Sequence, residues 1–148
     1  MSKENPNTEN TVSSETGAEW TAAWRKRHPN ACKAFLIPAV DLIEVLNEMN
    51  ILTDKVAAVA QKRAKRNQLN IRGYMAIGAE PPSEEKEERI LLVGTKEIDG
   101  VYRDIIDGEI DGKPVLIDVD GAELLISSGI YDATSPCPPV CDSASPLN

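Results

Sequence analysis

LNIRGYMAIG (69–78), the polar run EPPSEEKEE (80–88) and RILLVGTKEI (89–98) decide how this chain folds. The outer two segments are rich in Ile, Leu, Met, Val and Tyr, the composition of strands. The middle run has two prolines and too much charge to bury. Two strand segments joined this way are most simply an antiparallel hairpin with a long, exposed loop.

Downstream, Asp-Gly occurs four times: at 99–100, 107–108, 111–112 and 120–121. Asp-Gly between apolar runs signals a two-residue hairpin turn, because both central residues of a type I′ turn need φ > 0. Short strands are therefore expected in VYRDII (101–106), KPVLIDV (113–119) and ELLISSG (123–129). Upstream, the period lengthens. Trp20, Ala23, Trp24 and Arg27 recur at helical intervals, behind a capping-box spacing of Thr16 and Glu19. The helix should stop at His28, before Pro29. CKAFLI (32–37) reads as a strand or an extended entry segment. In PAVDLIEVLNEMN (38–50), Ala39, Leu42, Ile43, Leu46 and Met49 form one apolar stripe behind a proline suited to a first turn. A further helix is expected from Thr53, with Val56, Val59, Ala60 and Arg63 in period and Lys62, Arg63, Lys65 and Arg66 near its C-terminal end, where cations complement the dipole.

Helices first and strands after favour an α+β fold, with N-terminal helices packed on one face of a small antiparallel sheet. The expected organisation is a disordered polar arm (1–15), a single domain (16–131), and an extended Pro/Cys-rich tail (132–148). The chain's 148 residues can bury a real core. No apolar run reaches the roughly 18–20 residues of a membrane span. The polar start lacks the apolar stretch of a secretory signal, so a cytoplasmic location is expected. Of the net charge of −8, the basic part concentrates in residues 20–75, with ten Lys/Arg against four Asp/Glu. Residues 76–148 reverse this, with five against sixteen. The asymmetry is expected to mean that the two halves face each other or simply solvate their own surfaces, with a basic half meeting an acidic partner as the sharper reading. The acidic half argues against general nucleic-acid binding.

A nucleophile elbow, a phosphate loop and a dinucleotide glycine motif are all absent from the sequence. The single histidine, His28, sits at a helix end and is expected to cap or to lie on the surface rather than to catalyse. Asp118 and Asp120 would share one face of a strand, but a glycosidase cleft needs aromatics nearby, and solvated edge charges explain them better. Trp20 and Trp24 are expected in the core. Two ligand alternatives stay open. Cys137 and Cys141, with Cys32 and His28, have zinc-type donors but a loose second pair. Cys137 and Cys141 are also a short-loop disulfide candidate, which a reducing compartment disfavours. Asp107, Glu109, Asp111 and Asp118 fall on calcium-loop positions 1, 3, 5 and 12, with Gly112 at 6, yet Pro114 and the strand-like flank VLIDV favour tight turns.

The tail SPCPPVCDSASPLN (135–148) resembles the ending of a family of short, uncharacterised bacterial proteins that finish in PCPPxC followed by NPLN or similar. Upstream, AWRKRHPNACKAF, VDLIEVL, IRGYMAI and ILLVGT are similar to that family's order of elements. SPLN stands where NPLN is expected, and the polar arm and the basic helix at 53–67 depart from the pattern. The resemblance implies the same α+β fold and a bacterial cytoplasmic origin, and no mechanism.

Taken together, the sequence points to a non-enzymatic protein-binding or assembly module without a cofactor or membrane, directed at an unidentified protein partner or at a homo-oligomer. The expected contact residues are in the tail: Pro136, Cys137, Pro138, Pro139, Cys141, Pro146, Leu147 and Asn148. A thiol or metal protein using Cys137 and Cys141 is the alternative.

Overall fold

The computed structural model describes residues 10–79, 81–132 and 142–147. Along the chain run β1 (Thr11–Val12), α1 (Ser14–Arg27), β2 (Ala34–Pro38), α2 (Ala39–Glu48), α3 (Asp54–Arg66), β3 (Leu69–Gly78) and β4 (Glu87–Ile98). Then come β5 (Val101–Asp104), β6 (Glu109–Ile110), β7 (Lys113–Pro114), β8 (Leu116–Val119), β9 (Ala122–Leu125) and β10 (Ile130–Tyr131). The fold is α+β. β3 and β4 form the long hairpin that opened the sequence reading, in register from Leu69↔Lys96 to Gly78↔Glu87. They are the centre of an antiparallel sheet ordered β1-β10-β4-β3-β2, with β5 also on β4. β4 is long enough to carry two neighbours on one edge: β10 at Leu92–Val93 and β5 at Thr95–Ile98.

The Asp-Gly pairs are two-residue turns. All four have both residues at positive φ, from 51° at Asp111 to 86° at Gly121. They join Ile98 to Val101, Ile106 to Glu109, Ile110 to Lys113 and Val119 to Ala122. Asp and Gly tolerate the left-handed region, so each turn follows the strand twist without strain.

The main core lies between α1 and the sheet. Side chains alternate along a strand, so Tyr74 and Ala76 share one face of β3, and their partners Leu91 and Arg89 share that face of β4. Trp20, Ala76, Leu91, Val93 and Ile130 form the buried cluster there. Leu91 is 1% exposed, a burial that stabilises by about 1.5–3 kcal/mol. α1 sits close because two glycines let it. A Cβ on Gly78 would stand 2.1 Å from the Trp20 ring, and one on Gly17 would meet Ile130 at 3.0 Å. A smaller cluster of Ile105, Ile110 and Val115, flanked by Leu69 and Ile126, lies under the turn-rich segment.

Two expected boundaries need correction. The arm does not run to residue 15: Thr11–Val12 pairs with Ile130–Tyr131 as an outer strand of the sheet. α1 accordingly starts three residues, nearly one turn, earlier than the Thr16 cap predicts. Ser13 is the cap, its hydroxyl oxygen accepting from Thr16 N–H at 3.1 Å, because strand β1 delivers the chain to Ser13 in extended form. At the other end Asp132 belongs to the body. Its N–H donates to the Asn10 carbonyl at 2.7 Å, and its buried carboxylate meets Arg89. Pro136, Cys137, Pro138, Pro139, Cys141 and Asn148 lie outside the described residues. Pro146 and Leu147 belong to a local turn in which Ser145 N–H donates to the Asp142 carbonyl at 3.2 Å.

Candidate interaction surface

α2 and α3 follow a sheet strand and return to one. Pro38 ends β2 and opens α2 without a side-chain cap, and Ala39 N–H donates instead to the Asn70 side chain of β3 at 3.2 Å. Thr53 caps α3, accepting from Val56 N–H at 3.3 Å. Between the helices, Asn47 donates to the Leu52 carbonyl at 3.1 Å and to Asp54 at 2.9 Å, which closes the turn. Gln61 reaches across to the Val40 carbonyl and Glu44. These polar ties and the buried small residues Ala57 and Ala64 hold α2 and α3 together as a helical hairpin.

What the hairpin leaves uncovered is its main feature. α2 carries the apolar stripe anticipated from its sequence, yet none of its residues is buried. Met49 is 63% exposed, Ile51 60%, Val56 52% and Val45 51%, with Val59 and Leu46 also open. Phe35 and Leu36, on the outermost strand β2, are exposed as well. An amphipathic helix forms stably because its apolar stripe packs on something. A run of large exposed apolar residues on adjacent elements marks an interaction site, whereas single ones do not.

Charge follows the same elements. Within α2, exposed Val45 lies between Asp41 (four residues before) and Glu48 (three after). Within α3, Val59 lies between Lys55 and, three and four residues on, Lys62 and Arg63. Those spacings make them neighbours on one helix face. One exposed apolar edge is rimmed with acid and the other with base.

Elsewhere the two oppositely charged halves of the sequence do face each other. Arg72 on β3 reaches Asp104 on β5 at 2.5 Å and donates to the Tyr102 carbonyl at 3.0 Å, while the Tyr74 hydroxyl donates to the same Asp104 carboxylate. Burial, followed by the hydrogen bond and the negative charge of Asp104, pushes the Tyr74 phenol above its ordinary pKa. Buried Asn67, at the end of α3, uses its amide like a strand edge: it accepts from Asp118 N–H at 2.7 Å and donates to the Asp118 carbonyl at 2.8 Å. Arg66 adds an ion pair with Asp118 at 3.0 Å, which, with the Gly121 N–H, holds that carboxyl below its ordinary pKa.

The residues singled out for metals are placed as follows. Asp107 and Asp111 occupy turns, Asp111 pairs with Arg103 at 2.6 Å, and Asp118 pairs with Arg66. His28 lies against Trp24, ring centroids 4.1 Å apart, with Nε2 3.7 Å from Glu88. Cys32 is an exposed free thiol whose carbonyl accepts from the Trp24 indole at 3.3 Å. Among the described residues no group of three His, Cys, Asp or Glu side chains is placed to hold a metal ion. No helix among them is long and apolar enough to cross a membrane. Sequence reasoning noted the α2 stripe but not its exposure. The available signal was the excess of apolar positions, since Val45 adds to an α2 stripe already complete and Val56 and Val59 give α3 an apolar face of its own. No family model matches this chain, and no curated protein or solved structure matches it.

Proposed function

We propose that this protein is a non-enzymatic binding or assembly module, and that the α2–α3 hairpin with neighbouring β2 is its docking surface. The observation that carries this is a helix with a complete apolar stripe and no buried residue. Six large side chains, Val45, Leu46, Met49, Ile51, Val56 and Val59, stand open on the hairpin. Such a surface binds by desolvation when a complementary face covers it. No catalytic step is assigned to His28, which is engaged with Trp24 and Glu88. The tail from Pro136 to Asn148 is an additional docking element under the same proposal, supported by its extended proline-rich sequence.

The test is site-specific photo-crosslinking in the native host. Met49→benzoylphenylalanine is compared with the same replacement of exposed Lys113. The proposal expects a discrete cross-linked product from position 49 and none from 113. No product from position 49, in a protein that still folds, would overturn it.

A further inference from the structure

The charge pattern of the hairpin says what would cover it. α2 carries Asp41, Glu44 and Glu48 and has no basic residue in its last turn, whereas α3 carries Lys55, Lys62, Arg63, Lys65 and Arg66. Arg63 and Arg66 already face Asp120 and Asp118 of the β8–β9 hairpin. Asp41, Glu48, Lys55, Lys62 and Lys65 have no ion pair among the described residues, and all five are exposed. The acids flank Val45 and the lysines flank Val59. A foreign partner would need both signs in matching positions. A second copy of this chain has them already.

We infer that the occupant of the hairpin surface is a second copy of this chain, an inference that rests on the docking role proposed above. A two-fold axis parallel to the helices stacks each α2 on the partner's α3, antiparallel, as a four-helix bundle. The contact is isologous, so it closes at two copies and does not propagate. The stripe residues Leu46, Met49, Val56 and Val59 then meet their counterparts at the centre. At both margins the acidic rim of α2 falls beside the basic rim of α3, the arrangement by which flanking charges select partner and register in paired helices. The same pattern disfavours the alternative stacking of α2 on α2, which would set Asp41 and Glu48 against like charge.

The experiment is sedimentation equilibrium of the purified full chain over a concentration series reaching about 100 times the lowest loading, enough to span a dimer dissociation curve. The expected mass is twice 16.1 kDa at the upper end. Met49→Lys should raise the dimer dissociation constant by about 100-fold or more, as loss of a central hot spot does. Asn47 meets Asp54 within the hairpin, so in this bundle Glu48 is level with the partner's Lys55. Glu48→Lys and Lys55→Glu alone should each raise it about fivefold, and the double variant should recover most of that loss, since the pair is restored with its signs exchanged. Circular dichroism confirms that each variant is folded. A monomer at every concentration, a dimer indifferent to Met49→Lys, or a double variant no better than the singles would each overturn the second copy as occupant. If position 49 nevertheless cross-links in the host to a different protein, the docking role stands and only the self-association falls. If it cross-links to nothing, both fall.

Discussion

α1 and α2 are both amphipathic helices next to the same sheet, and they end in opposite situations. α1 buries Gly17, Trp20 and Trp24 against β3, β4 and β10. α2 buries nothing. The polar groups divide the same way. Under α1, Arg89 donates to the Gly78 carbonyl at 3.1 Å and to Asp132 at 2.6 Å, and lies 5.4 Å over the Trp20 ring. On the hairpin, Asp41, Glu48, Lys55 and Lys62 are exposed and have no ion pair among the described residues. The difference teaches that apolar periodicity reports a need for cover, and that the cover need not come from the same copy of the chain.

That contrast predicts large effects in the body and small ones on the hairpin. The largest should come from Asp132→Ala. It removes the buried partner of Arg89 and leaves that guanidinium only the more exposed Glu87, 3.5 Å away; breaking a buried pair costs up to about 3–5 kcal/mol. Urea unfolding checks this, and a loss under about 1 kcal/mol would show that the pair is better hydrated than its burial implies. Gly78→Ala comes next. Its new methyl must displace the Trp20 ring, an overpacking expected to cost about 1–3 kcal/mol or more. If the variant proves as stable as the parent, α1 is free to move away from the sheet, and the comparison between the two helices weakens.

Tyr74→Phe should lose about 1–2 kcal/mol, since it removes the donor to a partly buried carboxylate. It also carries a pH signature. The folded Tyr74 pKa is raised above the unfolded value, so the folded state holds its proton longer. The associated stability is therefore complete below about pH 10, where the unfolded phenol titrates, and is lost as pH rises from there through the folded pKa. Alkaline unfolding of the parent should show this decline, and Tyr74→Phe should flatten it. Asp118 has the opposite sign. Its pKa is lowered by Arg66 and the Gly121 N–H, so its contribution is present above about pH 4 and is lost as pH falls through the folded value. Because Asp118 is exposed to solvent, this should be the smallest effect, and Asp118→Asn should make acid unfolding measurably less steep.

The sheet was legible because its signals are local. Asp-Gly places turns within two residues, and strands alternate against one core, so 69–78 and 89–98 could be paired from sequence alone. The α1 cap was misplaced because Ser13 and Thr16 have equivalent local chemistry. Only the pairing of Thr11–Val12 with Ile130–Tyr131, over a hundred residues away, selects between them. The same distance hides the Arg72–Asp104–Tyr74 group and the Asn67–Asp118 clasp, whose members look unrelated until β5 and β8 are placed. The charge asymmetry hinted at those pairs without naming them. The hairpin surface was half legible: periodicity located the stripe, but burial is a property of the assembled fold.

The central claim is that Val45, Leu46, Met49, Ile51, Val56 and Val59 of the α2–α3 hairpin form a surface and not a core. The most direct measurement is the unfolding free energy of Val45→Ser/Met49→Ser, at a protein concentration low enough to keep the chain monomeric, beside that of Leu91→Ala. A surface predicts a change within about 0.5 kcal/mol per site for the hairpin pair, against about 2–5 kcal/mol for Leu91→Ala. A loss on the hairpin as large as that at Leu91 would show that these side chains are buried in the single chain, and would contradict the account.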